Sequence, residues 1–279
     1  MAYPNDPPAP PTLALKSGES INNGLVGWWP LTDGTGTTAA DVSTGGNDFT
    51  QSGSPAWVST ELGMAVDFNG TTDIYKAQSN SILSFGNGTT DSPFSIAAWI
   101  KIDDGDTTSN PIFSKANGNG SGSTAGQLEY AFRVSWNGSN HELVLQIYDN
   151  NGNQQEKVAG GSSITTNEWH LCCCTYDGSG DRFGMEVYLD GVIESPTRSN
   201  QGTYVAMHSL SFPAVIGSFL PNEPLYDQWM SGSIQNVRVW NVALTAQQVS
   251  DIYTTPWLGS NYEALGNTYF FPAHFGGRL

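Results

Sequence analysis

The chain has 279 residues, with 10 Lys plus Arg against 26 Asp plus Glu and a formal net charge of −16. A polyanion of this kind repels phosphate backbones and anionic lipid surfaces, which excludes nucleic-acid and membrane-surface binding as its business. Only 13% of residues are charged while 32 are Gly, and nine Trp supply a large core, so the composition points to an acidic, loop-rich, all-β protein and not to a helical enzyme.

Residues 1–24 differ from the rest. Pro4, Pro7, Pro8, Pro10 and Pro11 fall within the first eleven positions, which makes an extended arm unable to pair inside a sheet. The segment has neither a basic start nor an apolar run, so it does not read as a signal peptide. No run approaches 18 apolar residues, so no spanning segment is expected. The expected origin is a cytoplasm, with exit in a larger particle or by lysis.

From Leu25 onward, short apolar runs alternate with Gly, Asn and Asp turns. Strands are expected at 25–30, 64–68, 94–102, 130–136, 142–148, 169–176, 185–189, 214–216 and 232–240. In FSIAAWIKI, the residues Phe94, Ile96, Ala98, Ile100 and Ile102 share one face, because side chains alternate along a strand. Asn-Gly and Asp-Gly steps at 69–70, 87–88, 137–138, 151–152, 177–178 and 190–191 mark turns. Even spacing without alternating helices predicts two antiparallel sheets packed as a sandwich or jelly roll over residues 25–255.

Cys172, Cys173 and Cys174 are adjacent. Alternation sends them to opposite faces, so they cannot close on one metal ion, and the spacing reads as small buried hydrophobes. One helix is expected near the end. Thr245 and Gln248 form a capping box, Leu244 and Val249 a hydrophobic staple, and Pro256 the stop. Residues 256–279 carry Trp257, Tyr262, Tyr269, Phe270, Phe271 and Phe275, an apolar load that must pack on the domain or on a partner.

Four segments in order, LVGWWPLTDGTGTTAADVSTGGND, AVDFNGTTDIY with FSIAAWIKI, NEWHLCCCTYDGSGDRFGMEVYLDGV and GSIQNVRVWNVALTAQQVSDIY, resemble the laminin-G-like, concanavalin A-like jelly roll. Pentraxins and many carbohydrate-binding modules share this jelly roll. The resemblance implies two curved antiparallel sheets with loops at the rim. A jelly roll followed by a Y-x-x-P-W step, here Tyr253, Pro256 and Trp257, also resembles bacteriophage structural proteins that decorate capsids or tails.

Glycoside hydrolases of this fold resemble one another in an E-x-D-x-x-E strand, which sets paired carboxylates on one face. No such run occurs here. Glu186 and Asp190 lie four apart, but Asp190 begins an Asp-Gly turn. No G-x-S-x-G elbow, P-loop or dinucleotide glycine pattern appears. His141, His170, His208 and His274 are scattered, and His170 reads as a structural core residue. Asn69, Asn87, Asn119 and Asn137 head N-G-[ST] sequons and read as turn residues. The resemblance to pentraxin-like relatives implies calcium at a rim of two loops, 116–127 and 220–228. They offer Asn117, Asn119, Asn222, Glu223 and Asp227 as ligands, of a kind calcium accepts. Trp99, Trp136, Tyr148 and Tyr188 are candidate platforms for stacking on sugar C–H faces.

The expected function is a non-enzymatic, lectin-like jelly roll on a bacteriophage virion surface, capsid or tail. Segments 1–24 and 256–279 would dock it to other virion proteins, in a homo-oligomer, and the domain would adhere to glycans. The rivals are a calcium-dependent lectin free of any virion and a glycoside hydrolase or polysaccharide lyase.

Overall fold

The computed structural model describes residues 20–60, 62–77, 83–116, 128–150, 155–219 and 228–254. In chain order the strands begin with β1 (Leu25–Trp29), β2 (Thr38–Ala39), β3 (Phe49–Ser52), β4 (Ala56–Thr60), β5 (Gly63–Asn69) and β6 (Ile74–Ala77). They continue with β7 (Phe94–Ile102), β8 (Asn110–Ala116), β9 (Leu128–Trp136), β10 (His141–Tyr148), β11 (Gln155–Ala159) and β12 (His170–Tyr176). The last are β13 (Met185–Leu189), β14 (Val192–Ile193), β15 (Thr197–Gln201), β16 (Ala214–Ile216) and β17 (Ser231–Trp240), followed by helix α1 (Ala246–Thr254).

These strands form two antiparallel sheets. The eight-stranded sheet runs β14-β13-β12-β7-β17-β5-β4, with β1 also paired to β17. The nine-stranded sheet runs β15-β11-β10-β9-β8-β16-β6-β3-β2. The expected all-β jelly-roll sandwich with one short C-terminal helix is thus present. The elements not expected from the sequence are mostly short or irregular, such as β2, β4, β6, β14 and β15.

Period-two alternation builds the interior. Phe94, Ile96, Ala98, Ile100 and Ile102 of β7 enter one apolar cluster with Tyr130, Phe132 and Val134 of β9 and Leu143, Leu145 and Ile147 of β10. Aromatic rings stitch the sheets together, with Phe94 at 5.2 Å from Tyr130 and Trp29 at 4.4 Å from Phe49 between centroids. Each fully buried large side chain of this kind contributes about 1.5–3 kcal/mol by leaving water.

The outer face of the eight-stranded sheet is closed by α1. The capping box forms as expected: Thr245 N donates to Gln248 Oε1 at 2.9 Å and Gln248 N to Thr245 Oγ1 at 3.2 Å. Leu244 and Val249, the two members of the staple, are both buried. Ser95 of β7 clamps the approach to the helix, its hydroxyl donating to Val242 O and accepting from Leu244 N. Beneath the helix lie Ala97, Trp99, Leu171, Cys173 and Tyr188 in a second apolar cluster. Tyr253 stacks on Trp99 at 5.8 Å and 18°. The Asp190–Gly191 turn has φ of 51° and 79°, the left-handed pair such a turn needs. A Cβ on Gly191 would come within 2.8 Å of Tyr253, so the helix also requires glycine there. Pro256 and the rest of 256–279 lie outside the described residues, as do residues 1–19 of the arm.

The cysteines divide as alternation requires. Cys172 and Cys174 point into the inter-sheet core and Cys173 under the helix, all three buried and unpaired. Burial pushes each thiol well above its ordinary value. A buried protonated thiol is a poor nucleophile. The folded protein should therefore leave Ellman's reagent unreacted, and denaturant should release three thiols. Fast native labelling would contradict this packing.

Two carboxylates, the half-buried Asp91 and the buried Glu129, hold the segment joining β15 to β16. Asp91 accepts from Tyr176 Oη and Tyr204 Oη, both at 2.7 Å, and from Met207 N at 2.8 Å. Glu129, fully buried, accepts from Leu210 N at 2.6 Å and Ser84 Oγ at 3.1 Å and lies 3.8 Å from Lys115 Nζ. Burial pushes Glu129 from its ordinary 4.5 up to about 7, against the opposing pull of Lys115 and the two donors. The folded state then binds a proton more tightly than the unfolded chain between those values, so stability falls as pH rises through that window. Melting temperature should decline between pH 4.5 and pH 7, and Glu129→Gln should flatten part of that decline. An unchanged slope in the variant would contradict the assignment.

Candidate functional site

Three loops meet at the far end of the β9–β10 hairpin. The Asn137–Gly138 turn is set by an Asx motif, Asn137 Oδ1 accepting from Ser139 N at 2.9 Å and Asn140 N at 2.8 Å. Gly138 has φ 94° with open space around it. Ser109 Oγ accepts from Trp136 N at 3.2 Å, which ties the loop after β7 to the hairpin. That loop is braced by Asp106, which accepts from Thr108 N at 2.8 Å and Asn110 Nδ2 at 2.6 Å. The loop before β12 joins through Ile164 N to His141 O at 2.9 Å and Asn167 N to Ile102 O at 2.7 Å.

Between them lies a cleft of about 580 Å³, lined by Trp136, His141, Asp106, Ser139, Asn140, Thr165 and Glu168 among others. Trp136 is half-buried and its ring lies 4.8 Å from that of His141 at 52°. His141 is buried, and its Nε2 has no hydrogen-bond partner. Thr165 Oγ1 donates to Glu168 Oε2 at 2.8 Å and lies 2.8 Å from His170 Nε2. His170 Nδ1 in turn meets Asp190 Oδ2 at 2.9 Å. The lining holds two carboxylates and neither Lys nor Arg. Such a wall suits a ligand rich in hydroxyl donors and disfavours an anionic one. An aromatic face beside hydroxyl, amide and carboxylate groups is the combination that holds a sugar ring, with its C–H face stacked and its hydroxyls bonded.

The four candidate platforms are dispersed. Only Trp136 reaches this cleft. Tyr148 lies on the outer face of the nine-stranded sheet, in a small cluster with Ala116, Leu128, Ala131 and Phe219. Trp99 and Tyr188 lie on the outer face of the other sheet, 0% and 4% exposed. The reason is the short helix: its apolar face needs cover, and those two rings supply it, so neither offers a free face to a sugar. Asn117, Asn119, Asn222, Glu223 and Asp227 lie outside the described residues. Among the described residues no group of three His, Cys, Asp or Glu side chains is placed to hold a metal ion.

Glu186 and Asp190 do not act together. Arg198 Nη2 holds Glu186 Oε2 at 2.6 Å, and Asp190 is occupied by His170 and by Leu171 N at 2.9 Å. His170 is therefore an anchored residue, as expected, although its partners are the turn and a loop hydroxyl. Sequence reasoning did not single out His141 as a site residue, because its place beside Trp136 depends on the hairpin register.

The family described as "Concanavalin A-like lectin/glucanases superfamily" matches residues 69–250. Among curated proteins, the Adhesion G-protein coupled receptor V1 of Danio rerio is 28% identical over 167 residues. Those residues make up 58% of this chain but 2% of the receptor. Among solved structures, domain 4 of AbnA, a GH43 extracellular arabinanase from Geobacillus stearothermophilus solved with arabinotriose, matches with a TM-score of 0.56 and 18% identity. That match covers 82% of this chain and 98% of the domain. The binding domain of Paraclostridial Mosquitocidal Protein 1 matches with a TM-score of 0.62 and 13% identity, over 85% of this chain and 53% of that one. The binding domain of botulinum neurotoxin DC, solved with SialylT, matches with a TM-score of 0.57 and 13% identity, over 85% and 52%. At these identities the structural likeness concerns the fold.

Proposed function

The chain belongs to the concanavalin A-like lectin/glucanases superfamily, and on that premise we propose that it is a non-catalytic glycan-binding module whose sugar site is the cleft at Trp136. The observation that carries the proposal is the half-buried Trp136 ring, fixed against His141 and bordered by Asp106, Thr165 and Glu168. Arabinotriose bound to AbnA domain 4 and SialylT bound to the neurotoxin domain are consistent with sugar binding on this fold. The absent E-x-D-x-x-E strand and the separate engagement of Glu186 and Asp190 support binding without turnover.

A glycan array should return at least one neutral oligosaccharide. Trp136→Ala should weaken its binding at least tenfold, about 1.4 kcal/mol, and Trp136→Phe should retain more of it. Unchanged titration calorimetry in Trp136→Ala, or reducing-sugar release by the wild type, would contradict the proposal.

The finer setting we propose is a virion surface, with the jelly roll displayed and the flanking segments docked. Its support is the proline-rich run at 1–24 and the six large aromatics of 256–279. Deleting residues 2–20 should leave the sandwich folded while abolishing incorporation into the particle. A chain that never copurifies with a virion would remove this setting and leave the sugar site standing.

A further inference from the structure

Three surface loops share one sequence pattern and one turn. Asn69, Asn87 and Asn137 each begin an N-G-[ST] run and are exposed. In each, Oδ1 of the asparagine accepts two backbone N–H groups. Asn69 takes those of Thr71 and Thr72, both at 2.9 Å, and Asn87 those of Thr89 and Thr90, both at 2.9 Å. Asn137 takes those of Ser139 and Asn140 at 2.9 and 2.8 Å. Asn119, in the fourth such run, lies outside the described residues.

The loops differ at two other atoms. Gly70 N donates to Met230 O at 2.9 Å and Gly88 N to Met207 O at 2.7 Å, carbonyls of buried residues. Gly138 N has no hydrogen-bond partner among the described residues. A Cβ on Gly138 would meet nothing within 4 Å, whereas Gly70 lies against Ser231 and Gly88 against His208. The second atom is the asparagine Nδ2. In Asn69 and Asn87 it donates to a hydroxyl, Thr72 Oγ1 at 2.9 Å and Thr90 Oγ1 at 3.0 Å. In Asn137 it donates to the carboxylate of Glu142.

An Asn-Gly step can close on itself, because glycine puts no side chain in the way. The glycine nitrogen loses its proton and attacks the asparagine Cγ, and the carbonyl electron pair moves onto Oδ1. The Cγ–Nδ2 bond then breaks, and Nδ2 leaves as ammonia after gaining a proton. Water opens the cyclic imide at either carbonyl and leaves aspartate or isoaspartate. Water enters, ammonia departs, and no oxidant is needed. Preorganised N–H donors on Oδ1 stabilise the oxyanion of the tetrahedral intermediate, and all three loops supply them. Only at Asn137 do they meet an unengaged nucleophile with room to approach. Only there does a carboxylate face the leaving nitrogen, where it stabilises the positive charge that nitrogen gains.

We infer that Asn137 is a self-modification site, which deamidates in the folded protein to aspartate and isoaspartate while Asn69 and Asn87 are held back. The product carboxylate stands against Glu142 where a hydrogen bond stood, and like charges at that range repel. Isoaspartate also adds a methylene to the main chain directly after Trp136, in the turn that sets Ser139, Asn140 and His141 along the cleft. The modification thus weakens the sugar site as the chain ages. That consequence rests on the glycan-binding proposal, and the modification itself does not.

The test ages the full chain at neutral pH in heavy-oxygen water and follows each asparagine by peptide mass spectrometry, with a parallel sample in denaturant. In the folded protein Asn137 should deamidate at least tenfold faster than Asn69 and Asn87. In denaturant the three rates should converge, since the sequence pattern is shared. Glu142→Gln should slow Asn137 severalfold and leave the other two unchanged. Equal rates in the folded wild type, or a faster Asn69 or Asn87, would overturn the inference without any variant. A rate difference that survived in denaturant would assign it to local sequence and overturn the structural argument. An unchanged Asn137 rate in Glu142→Gln would overturn the part given to the carboxylate. The modified fraction, separated by anion exchange, should bind the neutral oligosaccharide at least tenfold more weakly than fresh protein. Equal binding would overturn the effect on the cleft, whereas fresh protein that bound no sugar would sink the glycan reading and leave the measured rates to decide the modification.

Discussion

Two sheets share a single interior, so alternation commits one face of every strand to it and leaves only the outer faces free to differ. Here they differ through nine residues of helix. The helix is seated by Ser95, by Trp99 under Tyr253, and by a turn that tolerates only glycine at 191. Once it is in place, the outer face of β7, β12 and β13 becomes a second core. Trp99 and Tyr188 are thereby withdrawn from any ligand, while the loops at the end of the β9–β10 hairpin keep Trp136 half-exposed.

The cleft at Trp136 is bordered by Asp106 and Glu168 and has no basic lining residue. A protein with net charge −16 repels acidic polymers at long range, which agrees with the neutral sugar proposed for that cleft.

Much of the fold was legible in the sequence because β7, β12 and β17 are long and they and the shorter β13 are strongly patterned. The helix was legible from Thr245, Gln248, Leu244 and Val249, whose spacing has a mechanical meaning. The short edge strands β14 and β15 were not, since two to five polar or isolated residues carry no period. The site was legible only in part. Any exposed-face aromatic looks alike in one dimension, so Trp99 and Tyr188 could not be told from Trp136 before the helix had been placed over them. The Glu129–Lys115 pair was not legible either, because it is joined across a register shift between β8 and β9.

Hydroxyl-radical footprinting of the tryptophans, with and without a bound neutral oligosaccharide, tests most directly the division into one sealed face and one open end. Trp28, Trp29, Trp99 and Trp240, all at 0% exposure, should oxidise slowly in both states. Trp136 should oxidise readily alone and become protected when the sugar binds. Ready oxidation of Trp99 in the free protein, protected by the sugar while Trp136 is unaffected, would place the ligand on the helix-covered face and contradict the account.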